Sequence, residues 1–197
     1  MPLPDFPVRK DIRGIGLSDW AVYAKGLSDK FNYTNTFYHK EPKLDIIDIK
    51  SSGYCDLDFL ISSEVFEHVM PPVDRIFQNT HSLLKPDGFM VLTVPYMLKL
   101  KETMEHFPGL RDFSIQKKNG TYILKNTKAD GSVQCFENLR FHGGQGATLE
   151  LRVFAYEALL EVLQDSGFSK VLTCGEPFLE YGIFWEFPNS LPIVARP

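Results

Sequence analysis

The chain has 197 residues, 44% hydrophobic and 23% charged, the balance of about one globular domain and not of a disordered chain. Its formal net charge of −4, from 21 Lys+Arg against 25 Asp+Glu, argues against a basic nucleic-acid surface, and no apolar run reaches the roughly 18–20 residues that span a bilayer. Residues 1–10 hold no apolar signal region, and Cys55, Cys135 and Cys174, widely spaced and odd in number, fit reduced thiols in a cytoplasm better than a disulfide framework or a Cys-rich zinc centre.

Residues 11–17 (DIRGIGL) read as a strand ending in glycines. Ser18-Asp19 then offers an N-cap to a helix whose Trp20, Tyr23, Ala24 and Leu27 recur at helical steps. Residues 33–49 are extended and hard to divide. Residues 58–62 (DFLIS) form a short, nearly all-apolar strand of the kind buried on both faces in a parallel sheet. Pro71 and Pro72 open a helix with Val73, Ile76, Phe77, Thr80, Leu83 and Leu84 on one face, residues 85–88 (KPDG) stop it, and residues 89–94 are the next strand. Strand, helix and strand within about 40 residues make a βαβ unit. Three short strands follow at 113–118, 121–125 and 133–137, punctuated by Asn119-Gly120 and Asp130-Gly131. Residues 149–154 return to the main fold, a helix closes at Ser166-Gly167, and strands at 170–174 and within 184–195 end the series. The pattern predicts an α/β, Rossmann-like, mostly parallel sheet flanked by helices, with an antiparallel β insertion at 99–148 and an antiparallel edge strand. Ligands of such sheets sit beyond the carboxyl ends of the strands.

The strand DFLIS runs into SSEVFEHV (62–69), and LLKPDGFMVLTVP follows the next helix. From residue 56 to residue 95 the chain resembles the class I, S-adenosylmethionine-dependent methyltransferases of type 11. Their segment after the fourth strand reads D-x-I-x-x-x-x-V-x-E-H-V, with L-K-P-G-G-x-L-x-x-x-x-P beyond the helix; Asp87 stands where the family has glycine. Residues 153–168 (VFAYEALLEVLQDSGF) are similar to the family's F-[ST]-x-x-x-L-x-x-x-L-x-x-A-G-F, with Ala155 in place of the capping Ser or Thr, a change worth about 1 kcal/mol. GIGLSD, YTNTFYHKEPKLDI and FHGGQGATLELRVF also resemble a methyltransferase-like bacterial subgroup. The family's glycine-rich D-x-G-x-G-x-G loop is not found. RGIGLSD resembles instead its second-strand pattern V-x-G-x-D-x-S. On that alignment residues 1–197 are a single, N-terminally truncated methyltransferase-like domain without the first strand, glycine loop and first helix.

The resemblance implies S-adenosylmethionine as cofactor and methyl transfer to a small-molecule or glycan-type acceptor. The alternative, favoured by the missing loop, is a non-catalytic binding or scaffolding remnant. For the cofactor the resemblance points to Gly14, Gly16 and Asp19 at the ribose, Asp45 at the adenine amino group with Ile46 flanking the ring, and Ser62, Ser63 and Glu64 at the methionine moiety. His68, His106 and His142 are the candidate bases or acceptor contacts. Glu64, Glu67 and His68 would share one helical face, but no second cluster of ligands is visible, so no metal is assigned. Asp45, Ser63, Glu64 and His106 are expected in one cleft with His142 at its rim. No nucleic-acid or membrane partner is expected. A homodimer would follow from the sheet flank that a lost first strand leaves exposed.

Overall fold

The computed structural model describes residues 1–197. The chain runs through β1 (Arg9–Leu17), α1 (Ala21–Lys30), β2 (Phe31–Thr36), β3 (Leu57–Ser63), α2 (Val73–Leu83), β4 (Leu84–Thr93), β5 (Tyr96–Met97) and β6 (Met104–Glu105). It continues with β7 (Asp112–Lys118), β8 (Thr121–Thr127), β9 (Val133–Phe136), β10 (Phe141–His142), β11 (Thr148–Leu149), β12 (Arg152–Ala155), α3 (Tyr156–Asp165), β13 (Lys170–Thr173) and β14 (Ile193–Arg196). The main sheet has the order β13-β14-β4-β3-β1-β2. β2, β1, β3 and β4 are parallel, and β14 and β13 form an antiparallel edge.

The two βαβ crossovers leave the centre in opposite directions, and right-handed crossovers then place their helices on opposite faces. Alternation along β3 follows this rule. Phe59 and Ile61 pack with Ala24 and Leu27 of α1, while Leu60 joins the larger core with Ile76, Phe77 and Leu83 of α2 and Leu159 and Leu163 of α3. Gly88 lies where the start of β4 crosses β3: a Cβ there would stand 2.8 Å from the Leu57 carbonyl oxygen, so residues 84–88 extend the strand instead of forming a separate turn. No helix is long and apolar enough to cross a membrane.

Three expectations need correction or refinement. First, β1 does not take the second-strand place. In the doubly wound order 3-2-1-4-5 the first strand lies between the second and the fourth. β1 lies there, bonded to β2 on one side and directly to β3 on the other (Gly14↔Tyr33, Gly14↔Phe59), with α1 following as the first helix. The strand without a counterpart is the third: residues 37–56 make turns and a single bridge, Phe37↔Lys43. Second, residues 149–154 return to the main fold by packing and not by strand pairing: Phe154 joins the main core, while β12 pairs with β5 and β6 in a separate three-stranded sheet and Arg152 bonds the turn after β3. Third, α1 is capped at Trp20, which makes no side-chain cap bond. Ser18 turns through φ 58° and sends Asp19 inward.

β7, β8 and β9 form an antiparallel meander outside the main sheet. Its small core of Phe107, Leu110 and Leu124 is shared with Leu151.

Candidate functional site

The carboxyl ends of β1 and β3 are adjacent, at the point where the sheet reverses its winding, which is where ligands of such folds sit. Both strands leave through a left-handed non-glycine residue, Ser18 at φ 58° and Glu64 at φ 54°. Such residues concentrate at functional turns. Glu64 is held by its N–H to the Thr93 carbonyl, 2.9 Å, and its carboxylate accepts the Ser190 hydroxyl. Exposed Ser63 pairs its Oγ with Thr93 Oγ1 at 3.0 Å. Ser62 shares the face of Leu60, fully buried, and its hydroxyl has no partner.

On β1 the two glycines serve packing. Tyr33 and Phe59 stack at 6.0 Å across Gly14, and a Cβ there would come within 2.2 Å of the Phe59 ring. A Cβ on Gly16 would land 1.9 Å from the Tyr33 hydroxyl and Asp19 Oδ2. Asp19 is 6% exposed, and both its oxygens are taken: Tyr23 donates to Oδ1 at 2.8 Å and Tyr33 to Oδ2. Burial raises the Asp19 carboxyl above its usual range, against the lowering effect of the two hydroxyls, and burial together with Asp19 raises both phenols. Asp19, buried and with one hydroxyl on each oxygen, therefore presents little surface to a ribose. Ile46 is buried in the main core and cannot flank a ring, because its side chain points inward with that of Leu44. Asp45 accepts the Ile47 N–H at 3.0 Å and lines a separate open cleft of about 450 Å³ with Glu41, Lys43 and Asp48. None of Ser63, Glu64 and His106 lines that cleft.

The histidines do converge. Glu64, Glu67 and His68 do not share an α-helical face: Glu64 is left-handed and residues Phe66–His68 form one 3-10 turn. That turn is clamped from β12. The Leu151 N–H donates to the Glu67 carbonyl at 2.9 Å, and Arg152, 0% exposed, donates to the carbonyls of Phe66 (3.0 Å) and Val69 (2.6 Å) and to Glu105 Oε1 (2.7 Å). The clamp holds Glu67 inward. Gly143, Gly144 and Gly146, all left-handed, tighten the β10–β11 hairpin that brings His142 over it.

Glu150 organises two of the three imidazoles. It accepts His106 Nε2 at 2.7 Å and His142 Nε2 at 2.5 Å, one on each oxygen. Both Nε2 atoms therefore carry a proton, which in the neutral ring leaves Nδ1 the bare nitrogen. His68 Nδ1 faces the Leu149 carbonyl at 2.7 Å, so it is the donor and Nε2 is bare. Burial lowers the His68 pKa and, with the Glu64 and Glu150 charges adding to it, pushes Glu67 up to about 8. Glu150 and Arg152 were not identified from sequence. The signal was there: two charges inside the apolar run LELRVF, where a strand residue is paid for only by a partner.

No family model matches the chain, and no curated protein does. Solved structures share its fold. An S-adenosylmethionine-dependent methyltransferase from Mesorhizobium loti is 14% identical with TM-score 0.56, over 98% of this chain and 94% of its own. The 1,6-didemethyltoxoflavin N1-methyltransferase of Burkholderia thailandensis, with 1,6-didemethyltoxoflavin and S-adenosylhomocysteine bound, is 14% identical with TM-score 0.51, over 93% and 70%. The sugar N-methyltransferase KedS8 of a Streptoalloteichus species is 10% identical with TM-score 0.53, over 94% and 80%.

Proposed function

We propose that this chain, which has the fold of the S-adenosylmethionine-dependent methyltransferases, transfers a methyl group from that cofactor to a small-molecule or glycan-type acceptor. The observation that carries this reading is the pair of left-handed exits at the switch point, Ser18 and Glu64, beside the hydroxyls of Ser63 and Thr93. These polar groups on the β3 and β4 side fit a cofactor's methionine end. On the β1 side Gly16 and Asp19 do not fit a ribose, because protein atoms already fill that place.

The cofactor supplies a sulfonium-bound methyl, an activated electrophile. The chain has to align the acceptor and exclude water, which positioning can make worth roughly 7–11 kcal/mol. Glu150 holds the His106 ring through Nε2–H, so Nδ1, which makes no hydrogen bond, is free to take a proton from an acceptor hydroxyl or amine. Three free cysteines fit a reducing, cytoplasmic setting. A homodimer, if formed, would use the β2 edge, which has no strand beyond it.

Calorimetry with S-adenosylhomocysteine tests the reading. Weak one-to-one binding is expected, weakened further by about two- to tenfold in Ser63→Ala, the worth of one hydrogen bond. The filled β1 side favours a second reading, a non-catalytic binding or scaffolding protein. No heat with either S-adenosylmethionine or S-adenosylhomocysteine would overturn the first reading and favour the second.

A further inference from the structure

We propose that Glu67, His68 and His142 form a binding site for a divalent transition ion of the zinc type. The reading is independent of methyl transfer. The three residues present one ligand atom each, all within 4.8 Å of one another. Glu67 Oε1 lies 3.4 Å from His68 Nε2 and 3.6 Å from His142 Nδ1. Zinc bonds of about 2.0–2.2 Å at the tetrahedral angle put neighbouring ligand atoms roughly 3.3–3.5 Å apart. Of the three edges, one already has that length and a second is within about 0.1 Å of it.

Hydrogen-bond chemistry supports the same assignment. The outer nitrogen of each ring is committed as a donor, His68 Nδ1 to the Leu149 carbonyl and His142 Nε2 to Glu150. Both bare nitrogens therefore face Glu67. A metal-bound histidine is oriented in this way by a carbonyl or carboxylate behind it. Glu67 is 0% exposed, and neither of its oxygens has a donor. Three acceptor atoms thus converge, an arrangement that costs free energy unless a proton on Glu67 or a metal cation sits among them.

Arg152 does not meet that need. Its Nε and Nη1 are engaged by Glu105, Phe66 and Val69, its buried Nη2 makes no hydrogen bond, and it forms no ion pair with Glu67. His142, with its side chain 36% exposed, leaves a route in from solvent and room for a fourth, exchangeable ligand. Three protein ligands of His₂Glu type with one open position is the arrangement of catalytic zinc sites. The sequence hid it because the second half of the ligand set comes from a hairpin more than 70 residues away.

The test is metal binding by the full chain. Chelator-treated protein is titrated with Zn²⁺ in a calorimeter and, separately, with Co²⁺ while the visible d–d bands are followed. One equivalent per chain is expected, with the intense bands of a tetrahedral Co²⁺ site. Affinity should fall by more than tenfold in Glu67→Gln and in His142→Ala, and by about 10–100-fold in Glu150→Gln, which leaves the three ligands in place and weakens the support behind His142 and the neighbouring His106. His39→Ala, on the exposed surface, should change nothing. If Glu67→Gln does not fold, the partly exposed His142→Ala decides. Absence of stoichiometric binding by the wild-type chain overturns the proposal, and so does binding that survives His142→Ala undiminished. In either case the cluster is held by a proton on Glu67.

Discussion

Asp19 shows how a polar residue at the sheet's switch point can be consumed by the protein itself. Two tyrosine hydroxyls fill its oxygens, and Gly16 exists to leave them room. Gly16→Ala should cost about 1–3 kcal/mol, as overpacking does, and a urea titration showing no loss would mean that the Asp19–Tyr33 pair can move aside. The pH dependence follows from burial. Asp19 has a folded pKa above its unfolded value near 3.8, so the folded chain binds the proton more tightly. Its contribution to stability is full below the unfolded value and is lost as pH rises through the folded one. Asp19→Asn removes that slope. The variant should therefore gain on the wild type between pH 3.5 and pH 7 in paired urea titrations; an unchanging gap refutes the assignment. Arg152 is a second buried ionisable group held by partners within the fold. Arg152→Met should cost roughly 3–5 kcal/mol, since Glu105 and two carbonyls lose their donor. A loss confined to a few tenths would show the turn after β3 to be held by other contacts.

At the scale of elements, turns and caps carry more of the chemistry than helices. α1 begins at Trp20, 69% exposed and without a side-chain cap bond. Trp20→Ser should supply the missing acceptor and raise the midpoint of thermal unfolding, by the equivalent of about 0.5–2 kcal/mol. A lower midpoint would mean that the indole contributes packing not evident from its exposure. The 3-10 turn of Phe66–His68 is too short to hold itself, and β12 holds it through three hydrogen bonds from Leu151 and Arg152. β12 thus serves the site through its one buried cation, Arg152, and the Leu151 N–H just before it.

The whole molecule has three unequal cores. The main one joins 22 buried residues on the α2 and α3 side of the sheet, a second of five lies under α1 on the other face, and the meander β7–β9 shares a cluster of four. Local opening free energy follows buried contact, so the meander should open first. Native-state hydrogen exchange is expected to give β7–β9 amides a lower free energy of opening than those of β3 and β4. Equal protection would make the two regions one cooperative unit. His106 and His142 flank this region, so its opening would also release the imidazoles from Glu150.

The sequence by itself determined the parallel pair β3–β4, the helix α2 between them and the meander of β7–β9. Each rests on periodicity or turn residues within a few positions, and local physics suffices for that. It also marked His68, His106 and His142, which the fold gathers. What only the tertiary structure decided is which strand stands beside β3, why Gly14 and Gly16 are glycines, and that Glu150 ties two histidines together. Those answers depend on side chains tens of residues apart meeting across strands: Tyr33 and Phe59 over β1, and Glu67 beneath His142. A pairing of that kind leaves no period in the chain, because its partners are selected by the sheet order and not by their spacing.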